Sequence, residues 1–257
     1  MALKNTHFVD EALRLVDKGE RQGLQLRILG SLAFRIHCPE NILLFEEMER
    51  ELTDIDFAAE RRQGHKIRDF LVSEGYIAND SIMIATEGAR HIYEHAETRL
   101  NVDVFTDELY FCHPIPFKGR LHLDSPTIPT TELLLEKMQI VEINLKDIKD
   151  SLVLLLEHPV GDPSAGRENI NLDYILNIMA RDWGFYYTFT TNLKKLKEFM
   201  PEFASLKGEQ RQVIAGRVDH LLGTIEAAPK SMGWRLRAKV GTRKKWYQEV
   251  SEKGEMF

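Results

Sequence analysis

The chain has 257 residues, enough for one large domain or two small ones, and its 43% hydrophobic and 29% charged content is that of an ordinary globular protein. A formal net charge of −6 removes any global case for nucleic-acid binding and leaves only local basic patches to make one. Two cysteines without CxxC spacing exclude a zinc ribbon or a disulfide framework, and no apolar run approaches the ~20 residues of a membrane span.

Met1 to Asn5 leads into an amphipathic pattern and not into the apolar stretch of a signal peptide, so a soluble, cytoplasmic protein is expected. Phe8, Leu13, Leu15 and Val16 predict an amphipathic helix over 6–18, punctuated by Gly19 and Gly23. Leu24 to Leu29 reads as the first strand, and Gly30-Ser31 opens a short helix ending near Pro39. Glu40 to Glu51 is acidic and helical in pattern, and is read as an insertion beside the site. A second strand carries Asp54 and Asp56, and 62–74 returns to helical spacing up to Gly75. Strand-like runs follow at Ile82–Ala85, Arg90–Glu94, Leu100–Phe105 and Arg120–Leu123, with a loop or broken edge at Leu109–Phe117.

From Thr127 the pattern changes. Pro129-Thr130-Thr131-Glu132 signals a helix start, and the dense apolar run from Leu133 to Ile143 predicts a helix buried between two halves. Asp147 to Glu157 continues as helix, Pro159 to Arg167 is a loop, and helices are expected over 170–182, 190–199 and 208–226. The tail from Lys230 to Tyr247 carries seven basic residues and no acid, with Trp234, Trp246 and Tyr247 interleaved, so it is read either as an RNA-binding segment or as a solvated, partly disordered tail. Strands and helices that alternate first and then give way to adjacent strands predict an α+β fold: a mixed sheet with helices on one side in residues 1–126, then a helical C-terminal region over 127–257.

Leu52-Thr53-Asp54-Ile55-Asp56-Phe57 is the stretch around which chemistry gathers. Residues i and i+2 of a strand point to one face, so Asp54 and Asp56 face together while Ile55 and Phe57 enter the core. Paired carboxylates repel unless a cation lies between them, and hard divalent ions such as Mg²⁺ take oxygen ligands of this kind. Asp103, between Val102 and Val104, supplies a third acid in the same setting. Arg27 to Ala33 reads as a strand turning through Gly30-Ser31 into a helix. Arg90, His91, His95 and Arg99 read as solvated residues, with phosphate binding as the alternative. Cys112-His113 lacks the second pair a metal site needs.

Taken together, these residues resemble the nucleotidyltransferase superfamily of DNA polymerase β, and within it the small prokaryotic and toxin-type members. The likeness covers roughly residues 20–157: Leu29-Gly30-Ser31, then Asp54-Ile55-Asp56, then Asp103, followed by Lys137 on a later helix and the pair Lys146-Asp147. The gap between Ser31 and Asp54 is longer than the family's usual spacing. The resemblance implies a nucleotidyltransferase core and Mg²⁺-dependent transfer (Mn²⁺ as the alternative ion) of an NMP from an NTP such as ATP to a hydroxyl of RNA, protein or a small molecule. It assigns metal ligation and catalysis to Asp54, Asp56 and Asp103, and nucleotide contacts to Gly30, Ser31, Lys137, Lys146 and Asp147. The implied partners are an NTP, RNA at the basic tail and a partner protein or antitoxin, with no membrane. Two alternatives stand beside it: a nucleotide-binding regulatory module without catalysis, and the toxin of a toxin–antitoxin pair.

Overall fold

The computed structural model describes residues 2–166 and 168–249; Met1, Arg167 and 250–257, with the last residue of the expected 159–167 loop, lie outside the described residues. In chain order the elements are α1 (Ala2–Arg21), β1 (Arg27–Leu29), α2 (Gly30–His37), α3 (Ile42–Glu47), β2 (Ile55–Ala59), α4 (Gly64–Ser73), β3 (Tyr76–Ala78), α5 (Asp80–Ala85), β4 (Arg90–His95) and β5 (Asn101–Thr106). A short β6 (Glu108–Tyr110) and β7 (Pro114–Pro116) follow, then α6 (Thr130–Met138), α7 (Leu145–Glu157), β8 (Val160–Gly161), β9 (Ile170–Asn171), α8 (Leu172–Met179), α9 (Trp183–Phe199), α10 (Gly208–Ala227) and α11 (Met232–Val240). The protein is α+β. It divides into two compact units, one of Met1–Pro39, Glu51–Leu109 and Ile115–Pro129, the other of Glu40–Arg50, Tyr110–Pro114 and Thr130–Phe257. No described helix is long and apolar enough to cross a membrane.

The first unit is built on a mixed five-stranded sheet in the order β1-β2-β5-β4-β3. Only β2 and β5 run parallel; the other three pairings are antiparallel. Alternation along the strands sorts the two faces. Ile28, Ile55, Phe57, Tyr93, Val102 and Val104 are fully buried on one. Helices α1 and α4 cover that face: the Tyr76 hydroxyl donates to Glu11 of α1 at 2.8 Å, and the His91 ring lies against Gly64 of α4. The opposite face carries Asp56, Arg90, Ile92, Glu94 and Asp103, all partly accessible.

Three expectations need correction in this unit. Ile82–Ala85 is not a strand but the end of helix α5, which Asn79 starts by accepting from Ile82 N. Its β-branched residues gave the strand-like pattern, yet Ile84 is 73% exposed, as a surface helix allows. The strand that does pair with β4 is Tyr76–Ala78, just after Gly75. Arg120–Leu123 is a turn: its amides bond back within the turn, and the buried Arg27 guanidinium draws the Leu121 and Asp124 carbonyls at 2.9 and 2.6 Å. Leu109–Phe117, expected as a loop or broken edge, holds two short strands, β6 and β7, that pair with each other apart from the main sheet. Asp54, expected on the second strand with Asp56, lies immediately before β2, so strand alternation does not set its facing.

The second unit is helical. All nine residues of α6 are buried, and the helix stops at Met138, short of the apolar run that continues to Ile143. The acidic segment 40–50 belongs here: Arg50 grips Asp150 of α7 through two 2.9 Å hydrogen bonds, and Asn41 donates to Glu157 at 2.9 Å. Helix α9 begins at Trp183, seven residues earlier than its apolar spacing suggested, because Asp182 caps it by accepting from Phe185 N at 3.0 Å. Segment 159–166 is not wholly loop, since Val160–Gly161 pairs in parallel with Ile170–Asn171.

The basic tail is folded. Helix α11, capped by Ser231, is followed by a chain that returns to α9. Trp246 packs edge-on against Trp183 and Tyr187, its indole N–H donating to Thr188 at 3.1 Å, and Arg237 stacks 4.7 Å from the Trp183 ring centroid. The tail is solvated, as its exposed lysines and arginines require, and it is ordered where a disordered segment was the expectation: the half-buried Trp246 anchors it on α9.

Candidate active site

Asp56 and Asp103 stand on the partly accessible face of the first unit's sheet, and Asp54 lies just before β2. Asp56 of β2 is the direct register partner of Asp103 of β5. Neighbouring strands run about 4.8 Å apart, so the two carboxylates leave the same face side by side. Both are held there by the residues that flank them, since Ile55, Phe57, Val102 and Val104 are each fully buried on the other face. Asp54 precedes Asp56 by two positions and accepts from the Thr53 hydroxyl at 2.9 Å. Two adjacent carboxylates on a partly accessible face, Asp56 and Asp103, suit a hard divalent cation such as Mg²⁺ or Mn²⁺ whose remaining oxygens come from water or phosphate.

Gly30 is part of the same row. Leu29 of β1 pairs with Asp56, and the chain turns at Gly30, with φ +67°, into α2. A Cβ at residue 30 would collide with Asp56 Oδ2. Glycine therefore serves two purposes here: it takes the left-handed conformation, and it leaves room for backbone to come close to the carboxylate. Ser31 follows in the first turn of α2 and is buried. A helix start of this sort directs amide N–H groups outward, where an anion is favoured.

Arg90, read from the sequence as solvated with phosphate binding as the alternative, is placed beside Asp103, which the sequence did not indicate. It lies on β4 beside Asp103, whose direct partner on that strand is Ile92. Its Nε donates to Asp103 Oδ2 at 3.2 Å, Nη2 donates to the same oxygen, and the guanidinium sits 5.3 Å from the Phe105 ring centroid. The signal was present in the alternation Arg90-x-Ile92-x-Glu94, which sets Arg90 on one face of a strand. Nothing in that alternation says which strand lies alongside.

The other predicted nucleotide ligands, Lys137, Lys146 and Asp147, belong to the second unit. Lys137 is buried among carboxylates: its Nζ lies 2.9 Å from Glu136, 3.4 Å from Asp147 and 3.6 Å from Asp150. Burial alone pushes its pKa down, and the three carboxylates outweigh that and drive it up, so the ammonium is charged. Lys146 is exposed at the start of α7, where Asn144 accepts from the amides of Lys146 and Asp147 at 2.8 and 3.1 Å.

The remaining candidates have structural partners. His91 is buried 3.1 Å from the Tyr93 hydroxyl, and burial lowers its pKa. His95 meets the Tyr76 ring edge-on, and Arg99 pairs with Glu94. His113 stacks on Phe185 and lies 2.8 Å from the Thr188 hydroxyl, with burial lowering its pKa to about 4. Cys112 is buried, which raises its thiol pKa. Comparison of this chain with protein-family models, with curated proteins and with solved structures gives no match.

Proposed function

We propose that the first unit is a nucleotidyltransferase core of the DNA polymerase β type, moving an NMP from an NTP to a hydroxyl acceptor. The observation that supports this best is the register row of Leu29, Asp56 and Asp103 across three adjacent strands, with Gly30 turning out of β1 against Asp56 and Asp54 two residues before Asp56. Asp54, Asp56 and Asp103 would hold the divalent cations. Those ions, when bound, polarise phosphoryl oxygens and lower the pKa of an attacking hydroxyl. Gly30 lets backbone approach the triphosphate, and the Ser31 amide and hydroxyl donate to its oxygens. As the acceptor oxygen bonds to the α-phosphorus and the bond to the bridging oxygen breaks, pyrophosphate leaves and Asp103 would take the hydroxyl proton on a carboxylate oxygen. Lys137, Lys146 and Asp147 are kept as nucleotide contacts by resemblance alone. RNA is one candidate acceptor beside protein and small molecules, because Arg235, Lys239, Arg243, Lys244 and Lys245 are exposed on the tail and exposed cations attract phosphate.

The test is incubation with each α-³²P-labelled NTP, Mg²⁺ and total tRNA, beside Asp54→Ala/Asp56→Ala. Labelled RNA that vanishes in the variant supports the reading, and label on protein redirects the acceptor. Equal labelling by the variant sinks it. A second reading, a nucleotide-binding module without turnover, is favoured by one observation: Asp103 already carries a cation, Arg90. Calorimetric NTP binding with no product on any acceptor would select it.

A further inference from the structure

We propose that Arg90 is a phosphate ligand in waiting: it shares Asp103 with the divalent cation, and when the cation takes Asp103 the guanidinium turns to the phosphates of the bound nucleotide. The inference rests on the nucleotidyltransferase reading of the three acids and adds a residue and a coupling to it.

Three features carry it. First, Arg90 and a cation would compete for one oxygen, since Nε and Nη2 both donate to Asp103 Oδ2. Two N–H groups converging on a single oxygen use the guanidinium poorly, whereas a phosphate offers each N–H its own oxygen in the fork geometry that suits arginine. Second, the side chain can move. It is 39% exposed, against 15% for Asp103, so the head group swings without opening a void. The Phe105 ring, 5.3 Å from the guanidinium carbon and paired in register with Arg90, gives the planar head a face to turn on. Third, charge favours the exchange. A divalent cation at Asp103 repels an adjacent guanidinium, and a triphosphate brought in with that cation attracts it over the same few ångströms. Arg90 therefore opposes cation binding in the absence of nucleotide and assists nucleotide binding once the cation is present. A merely structural arginine would do neither.

The experiment uses the full chain and two ligands measured separately. Mn²⁺ affinity is read from the EPR signal of free Mn²⁺, and affinity for a non-hydrolysable NTP analogue is read by calorimetry at saturating Mg²⁺. Arg90→Gln is expected to bind Mn²⁺ up to about fivefold more tightly, the range for losing one partly exposed charge pair. It is expected to bind the analogue about tenfold more weakly, as loss of one charge-assisted contact predicts. Arg90→Lys, which keeps the charge and loses the fork, should fall between wild type and Arg90→Gln on both scales, and serves as the folded control should Arg90→Gln melt early. Arg90→Gln matching wild type on both measurements, or weakened toward both ligands, overturns the proposal while leaving the acids' role intact. Wild type that binds neither Mn²⁺ nor the analogue overturns the nucleotidyltransferase reading and this inference with it.

Discussion

Gly30 and Asp56 lie in van der Waals contact across adjacent strands: a Cβ at position 30 would have Asp56 Cγ at 3.2 Å and Cβ at 3.3 Å, and would overlap the carboxylate oxygen. Gly30→Ala is expected to destabilise the protein by about 1–3 kcal/mol, the cost of holding a side chain at positive φ together with the clash. Urea denaturation checks this. Adding Asp56→Ala removes the clash and leaves the backbone term, so the double variant should regain part of the loss. Gly30→Ala as stable as wild type would show that the close approach does not exist.

Asp56 and Asp103 give a stability that responds to cation. Each carboxylate raises the free energy of the other in ion-free buffer. Asp56→Asn should therefore lose the melting-temperature response to Mg²⁺ that wild type shows over its own EDTA value. Saturating Mg²⁺ should raise the wild-type melting temperature, by the equivalent of about 2.7 kcal/mol at a hundred times Kd, and should not raise that of Asp56→Asn or Asp103→Asn. Differential scanning fluorimetry with EDTA and Mg²⁺ arms distinguishes this from a structural pair, for which Mg²⁺ would shift wild type and variants alike.

The strand alternation that exposes Asp56 and Asp103 was legible in the sequence because each is a lone acid between buried aliphatics. Their adjacency was not, because register between β2 and β5 depends on chain more than forty residues away. The same limit hid Arg90, whose partner sits on another strand. Local signals were also outweighed. Ile82 and Ile84 suggested a strand, while Asn79 capped a helix; Arg120–Leu123 alternated like a strand, while the Arg27 guanidinium held its carbonyls in a turn. In the tail the charge count suggested partial disorder, and the docking of Trp246 on α9 followed from aromatic contacts that charge does not reveal.

Asp150 is completely buried between Arg50 and Lys137, accepting two hydrogen bonds from the first and lying 3.6 Å from the second. Asp150→Asn takes from Arg50 the carboxylate it grips in a dry site, while Lys137 keeps Glu136 and Asp147. It is expected to cost about 3–5 kcal/mol, the range for breaking a buried pair by removing one partner. Arg50→Met together with Asp150→Leu removes the pair as a unit and should cost less than Asp150→Asn alone. Urea midpoints in the reverse order would show that the cluster is solvated.

His113 makes stability depend on pH. Burial lowers its pKa from the ordinary 6.5 to about 4, so between those values the unfolded chain binds a proton that the folded chain does not. Its contribution is present above pH 6.5 and is lost as pH falls toward 4, on the order of 2–3 kcal/mol. His91, also lowered by burial, acts in the same direction. His113→Gln should flatten the dependence of the urea midpoint on pH between 7 and 4 relative to wild type. Parallel curves for the two proteins would mean that His113 is protonated in the folded state.

Gly184 tests the docking of the tail. It lies in the first turn of α9, where alanine would ordinarily add about 1 kcal/mol of helix stability. Here a Cβ would meet the Trp246 carbonyl at 2.5 Å and Trp246 Cβ at 3.4 Å, so the tail has to move. Gly184→Ala should therefore leave the global urea midpoint nearly unchanged and speed tryptic cleavage after Arg243, Lys244 and Lys245, which precede the anchoring indole. Trp246→Ala should speed the same cleavages by removing the anchor itself. Cleavage at the wild-type rate in both variants would mean that the segment around Trp246 does not rest on α9, and the exposed lysines would then belong to a freely moving tail whose RNA contacts have no fixed geometry.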